Sequence, residues 1–144
     1  MQVRSFQLSD VTHVTDLLRV ALSEECYEDT RRAFARQLSF DSELIMVVEE
    51  EDSIVGVLIG TIDRQNLGCI YRVAVHPDHR RRGVGKNLVK AMEQRFKQRN
   101  VSKIMVAGDE HNQAAMPLYE AMGYAGRMLE AFQKLSIAAV HSLS

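Results

Sequence analysis

The period of the hydrophobic pattern changes abruptly between residues 69 and 88, and that change constrains the fold more than any other feature. Cys69-Ile70-Tyr71-Arg72-Val73-Ala74-Val75 is a short, largely apolar run that reads as a strand. It stops at His76-Pro77, because proline has no N–H to give a central strand. Past Gly83 the apolar residues Val84, Leu88, Val89, Ala91, Met92 and Phe96 lie along one helical face, ending near Arg99-Asn100. A strand therefore passes through a tight polar turn into a helix N-terminus. Such termini bind anions, because their first N–H groups are unpaired and the macrodipole places about half a positive charge there. Gly83 and Gly85 remove the Cβ atoms that would hold an anion away from those amides. Arg80, Arg81, Arg82 and Lys86 add attraction for a polyanion, on a chain with 18 Lys+Arg against 19 Asp+Glu. The pattern points to a diphosphate site. A solvated basic loop and an RNA contact are the alternatives, while the glycine spacing fits neither GxxxxGK[ST] nor GxGxxG.

The net charge of −1 argues against a general nucleic-acid binder, and no stretch approaches the ~20 apolar residues of a membrane span. The N-terminal residues lack the apolar run of a secretory signal. Cys26 and Cys69, with no CxxC and no His/Cys cluster, read as reduced thiols of a cytoplasmic protein that holds no metal. At 144 residues and 46% apolar, residues 1–144 are expected to form one domain with a proper core.

Along the rest of the chain, residues 3–8 look extended and Ser9-Asp10 supplies a helix cap. Val11, Val14, Leu17, Leu18 and Ala21 then recur at helical spacing. Residues 23–28 read as a polar connection to a second helix over about 29–38. Residues 44–48 and 54–59 form an antiparallel hairpin across the link Glu49-Glu50-Glu51-Asp52-Ser53. Residues 103–107 are a short strand. Residues 112–122 are a helix closed by Gly123, with Pro117 inside it at the cost of one hydrogen bond and a local kink. Residues 124–140 read as two further strands. The order is βααβββαβαββ, a mixed α+β domain around one central sheet.

The spacing R-x-x-G-x-G at Arg80, Gly83 and Gly85, preceded by Val-Ala-Val-His-Pro, resembles motif A of the Gcn5-related N-acetyltransferases, the GNAT superfamily. The run from Asn112 through Leu118-Tyr119 to Gly123-Tyr124 resembles the same family's motif B, N-x-x-A-x-x-L-Y-x-x-x-G-[FY]. The two motifs occur in the family's order with a helix and a strand between them. The resemblance implies a GNAT fold: a mostly antiparallel sheet with one splayed parallel pair of strands, flanked by about four helices.

It further implies an acetyl-CoA-dependent N-acetyltransferase. The pantetheine arm pairs with the backbone of Val73, Ala74 and Val75, and the diphosphate rests on the amides of Arg81, Arg82, Gly83, Val84, Gly85 and Lys86, beside Arg80. The side chain at Val84 then matters little. Asn112 matches the position that hydrogen-bonds the cofactor arm, and is otherwise an N-cap. Tyr119 matches the general acid that protonates the departing thiolate, and is otherwise a core aromatic. A thiol near 8.5 and a phenol near 10 make full transfer uphill by about 2 kcal/mol, so a hydrogen bond to the thiolate is the larger effect.

The positions that hold the family's carboxylate base are Cys69 and Ala107 here. Glu24, Glu25, Asp109, Glu110, His111 and ordered water remain as alternatives. Deprotonating a lysine at pH 7 costs about 4–5 kcal/mol, against about 1 for an α-amine, which favours a small-molecule or peptide α-amine acceptor. Attack on the thioester is expected to be direct, because nothing basic stands where it would activate Cys69. The competing reading is a non-catalytic acyl-CoA sensor. Pairing of two copies into a homodimer is a further expectation of the resemblance.

Overall fold

A computed structural model of the chain describes residues 1–124. Five strands form one sheet in the order β1 (Gln2–Ser5), β2 (Ile45–Glu50), β3 (Ser53–Ile62), β4 (Leu67–Val75) and β5 (Lys103–Val106). Neighbours are antiparallel except β4 and β5, which run parallel. The helices are α1 (Val11–Ala21), α2 (Glu24–Phe40), α3 (Val84–Gln98) and the short α4 (Met116–Ala121). This is the mostly antiparallel sheet with one parallel pair and four helices that the motifs imply. The two strands expected at 124–140 lie outside the described residues, apart from Tyr124.

Both faces of the sheet are covered, which is why β2 reads as a continuous apolar run rather than an alternating one. Ile45 and Val47 pack with Val14, Leu17, Leu18, Tyr27 and Phe34 beneath α1 and α2. Met46 and Val48 face Leu88, Val89, Met92 and Phe96 of α3. α3 lies close against β3: a Cβ built on Gly56 would stand 2.6 Å from a methyl of Val84. Val84 is 1% exposed. Its side chain therefore anchors the first turn of α3, so its identity matters to packing, contrary to the expectation from the backbone's role. The β2–β3 turn narrows to Glu51 and Asp52, both at positive φ, the geometry of a two-residue hairpin.

Three local expectations are corrected. α2 starts at Glu24 rather than near Asp29. Ser23 Oγ accepts the Cys26 N–H at 3.2 Å, Glu24 and Glu25 complement the dipole in the first turn, and Cys26 and Tyr27 are buried. The Asp10 carboxylate accepts no N–H from α1. It turns back to the Gln7 N–H and to Arg4, at 2.8 Å each, and the Arg4 hydrogen bond holds the Asp10 carboxyl below its ordinary range. The helix expected over 112–122 is a 3₁₀ segment, Glu110–Ala115, leading into α4. Pro117 thus sits in the first turn of α4, where its missing N–H costs no helical bond.

Candidate active site

The site begins with a bulge. Ile59 pairs with Arg72 and Gly60 with Ile70, so Tyr71 is an extra residue in β4 without a partner on β3. In a regular strand Ile70, Arg72 and Ala74 would share one face. Here Ile70 joins the core under α3, while Ala74 joins the core under α1 and α2, and Arg72 reaches α2. The bulge also marks where the parallel pair separates. β5 pairs with Leu67, Gly68, Cys69 and Ile70, the Ala107 N–H donates to Ile70 O at 3.0 Å, and no described strand follows that edge of β4 further.

Two buried polar side chains hold the split. Arg72, 2% exposed, uses all five of its donors: Nε to Thr30 at 3.0 Å, Nη1 to Asp109 at 2.9 Å and Asn112 at 2.7 Å, and Nη2 to Asp29 at 2.9 Å and Asp109 at 3.4 Å. Burial opposes its charge, but the hydrogen bond and charge of Asp109 outweigh it and raise the guanidinium pKa. Desolvation likewise opposes the Asp29 charge, and the Tyr71 hydroxyl, 2.5 Å away, with Arg72 more than offsets it. Asn112, 1% exposed, donates Nδ2 to both Tyr71 O at 3.1 Å and Ala107 O at 2.8 Å, bracketing the diverging strands. Arg72, Thr30 and Asp29 had no assigned role in the sequence. The available signal was a lone charge inside an apolar strand.

A cleft of about 410 Å³ opens along the free edge of β4, lined by Arg72, Val73, Ala74, Val75, Asn112 and His111 among others. A second recess of about 230 Å³ continues from it through the shared residues Val75, Arg80 and Leu118 to the start of α3. Arg81, Gly83, Val84, Gly85 and Lys86 line this recess. Gly83 is the N-cap of α3 at φ +81, no side chain caps the helix, and a Cβ there would meet nothing within 4 Å. The first turn of α3 therefore borders the recess without a side-chain cap, which leaves its amides available to an anion. Arg80 ties the loop down, donating to Val75 O at 3.2 Å and Ala21 O at 3.1 Å. Arg82 is not among the lining residues and stands 3.5 Å from Glu50.

Tyr119 lines neither recess. It is wholly buried in the α3-side core, and its hydroxyl has no hydrogen-bond partner among the described residues. Burial raises its pKa, partly opposed by the charge of Arg72 and reinforced by Cys69 and Asp109. Burial also pushes the Cys69 thiol up to about 12. A buried O–H without a partner among the described residues and a glycine-marked helix N-terminus are what a thioester of a diphosphate-bearing carrier fits.

The model of the Acetyltransferase (GNAT) family matches residues 11–124. Acetyltransferase YE1169 of Yersinia enterocolitica is 33% identical over 129 residues, covering 86% of this chain and 87% of that protein. Acetyltransferase SG1711 of Sodalis glossinidius is 32% identical over 131 residues, with the same coverage. Among solved structures, the PaiA N-acetyltransferase of Thermoplasma acidophilum, in complex with coenzyme A, superposes with a TM-score of 0.69. It has 16% identity, over 86% of this chain and 89% of that one. Diaminobutyrate acetyltransferase EctA of Paenibacillus lautus gives 0.66 at 23% identity, over 85% and 74%. With fold, split strands and motifs in agreement with these matches, the chain belongs to the GNAT family of acetyl-CoA-dependent N-acetyltransferases.

Proposed function

We propose that this chain transfers the acetyl group of acetyl-CoA to a primary amine, a small molecule or a peptide α-amine, by direct attack with both substrates bound. The observation that carries the reading is the continuity of the β4-edge cleft with the recess at the start of α3. A long carrier fits with its diphosphate at one end and its thioester at the split. The backbone at Val73, Ala74 and Val75 pairs with the amides of the carrier's arm, as a further strand would. The amides of Arg81, Arg82, Gly83, Val84, Gly85 and Lys86 hold the diphosphate, with Arg80 fixing the loop. Asn112 keeps the strands apart. With both amide hydrogens engaged, it meets the arm only by accepting an N–H at Oδ1.

Tyr119 donates its unpartnered hydrogen bond to sulfur as the thiolate forms. Its raised pKa favours hydrogen bonding over complete proton transfer. Direct attack is supported by the Cys69 pKa of about 12, which leaves on the order of one thiolate in 10⁵ at pH 7. The EctA neighbour was solved with L-2,4-diaminobutyric acid and coenzyme A, a primary-amine acceptor of the kind proposed. The two free cysteines suit the reducing cytoplasm, and no helix among the described residues is long and apolar enough to cross a membrane. The test is CoA release from acetyl-CoA against pools of α-amine peptides, lysine peptides, polyamines and amino sugars. Release that depends on an amine and persists in Cys69→Ala is the expected result. CoA release without any amine, or its loss in Cys69→Ala, refutes direct attack.

A further inference from the structure

We propose that His111 is the base that takes the proton from the acceptor amine, an inference that rests on the amine-acetylation reading above. The cleft along β4 has three titratable side chains among its described lining residues: Arg72, Arg80 and His111. Arginines stay protonated and cannot accept a proton, so His111 is the one proton acceptor among the described lining residues. Of the carboxylates near the split, Asp109 is committed to Arg72 and the His111 N–H and Asp29 to Arg72 and Tyr71, while Glu25 and Glu110 are exposed and are not among the cleft's described lining residues. The Cys69 thiol, at about 12, holds its proton. The two positions where the family's base is expected, Cys69 and Ala107, thus carry no base, and an imidazole stands at the cleft instead.

The backbone locates that imidazole. Asp109 Oδ1 accepts the His111 N–H at 2.9 Å and also Arg72 Nη1 at 2.9 Å, so the brace that holds the strands apart also fixes the residue carrying the ring. The ring is half-buried, and its ligand atom lies within 4.8 Å of the carboxylates of Glu25 and Glu110. The charged groups around it are Glu25 and Asp29 from α2, Asp109 and Glu110 from its own segment, and Arg72 from β4.

In the step, the amine nitrogen attacks the thioester carbonyl and the N–C bond forms. The proton displaced from nitrogen goes to His111, and the C–S bond breaks with its electron pair on sulfur. The thiolate leaves hydrogen-bonded by Tyr119 and takes its proton from solvent, to which His111 returns the one it received. Amine and acetyl-CoA become amide and CoA with no other reactant.

The test is kcat against pH for the wild type, His111→Gln and His111→Asn. Acetyl-CoA is saturating, the acceptor is the amine that gives the fastest wild-type release, and acetyl-CoA affinity is measured alongside. The wild type loses rate on the acid side as one group protonates. Both His111 variants lose that acid limb and at least about 100-fold in kcat, the usual share of a general base. Their acetyl-CoA affinity stays within about twofold, which separates lost chemistry from lost folding or binding. His111 variants that keep the limb and lose less than about threefold in kcat overturn the assignment. So does abolition of wild-type activity by EDTA, which would make the His111, Glu25 and Glu110 cluster a metal site. A wild type that binds acetyl-CoA and acetylates no amine overturns the acceptor reading itself, and this inference with it.

Discussion

Tyr119→Phe separates a functional hydroxyl from a structural one through opposite signs. The Tyr119 side chain is wholly buried, and its O–H meets no acceptor among the described residues. A buried unsatisfied polar group costs about 1–3 kcal/mol, and phenylalanine keeps the ring while removing that group. The variant should therefore be more stable than the wild type by about 1–2 kcal/mol, or roughly 3–6 °C in Tm for a chain of this size. Its kcat should fall, because a hydrogen bond to the developing thiolate is charge-assisted and worth about 1.5–3 kcal/mol. At 1.36 kcal/mol per factor of ten, that is roughly 10- to 150-fold. The assays are thermal unfolding by circular dichroism without CoA, and acceptor-dependent CoA release. A variant that loses stability while keeping kcat within about a factor of two of the wild type refutes the reasoning, since the hydroxyl would then be an ordinary core contact.

Gly83→Val tests the cradle. A β-branched residue at φ +81 adds strain of about 1–2 kcal/mol, and the open space around its Cβ means no clash adds to that. Calorimetry should show acetyl-CoA affinity falling more than about tenfold, because the side chain takes the diphosphate's place, and an unchanged affinity would move the diphosphate elsewhere. Arg72→Lys tests the brace: three donors cannot replace five, and one carboxylate loses its partner. Asp29 and Asp109 are 39% and 34% exposed and partly rehydrate, so the loss should sit near the low end of 3–5 kcal/mol. A urea midpoint unchanged from the wild type would mean that the network carries no stability. Acid lability follows from Asp10, Asp29 and Asp41, whose carboxyls are held below their ordinary values. Their contribution is complete above the unfolded carboxylate pKa, about 4, and is lost as pH falls through the lower folded values. The urea midpoint should be flat from pH 7 to about 5 and drop below about 4, less steeply in Asp10→Asn, and a drop beginning near pH 6 would contradict this.

What was legible in the sequence was carried by period and punctuation. The strand ending at His76-Pro77, the glycine-marked start of α3 and the strand at 103–107 were readable because each rests on local chemistry, whereas the parallel pairing of the two strands came from the family resemblance. The start of α2 was misread because Glu24, Glu25 and Glu28 look like a solvated link, whereas Ser23 and those carboxylates are a helix N-terminus whose Cys26 and Tyr27 turn inward. Pro117 was placed mid-helix because Asn112 reads as an N-cap, whereas residues 110–115 form a 3₁₀ segment and α4 starts only at Met116. The bulge at Tyr71 has no local signature, since it is decided by pairing with Ile59 and Gly60, far along the chain. Arg72 and its partners stayed hidden for the same reason: Thr30, Asp29, Asp109 and Asn112 come together only once α2, β4 and the segment after β5 have packed.

The most direct test of the central claim is a crystal structure with acetyl-CoA bound. The account predicts an arm whose amides pair with the backbone of Val73 and Val75, and a diphosphate on the amides of residues 81–86. It also predicts a thioester sulfur within hydrogen-bonding reach of Tyr119 Oη, about 3.5 Å. A carrier lying away from the β4 edge, or a sulfur that leaves the Tyr119 hydroxyl without a partner, would contradict it.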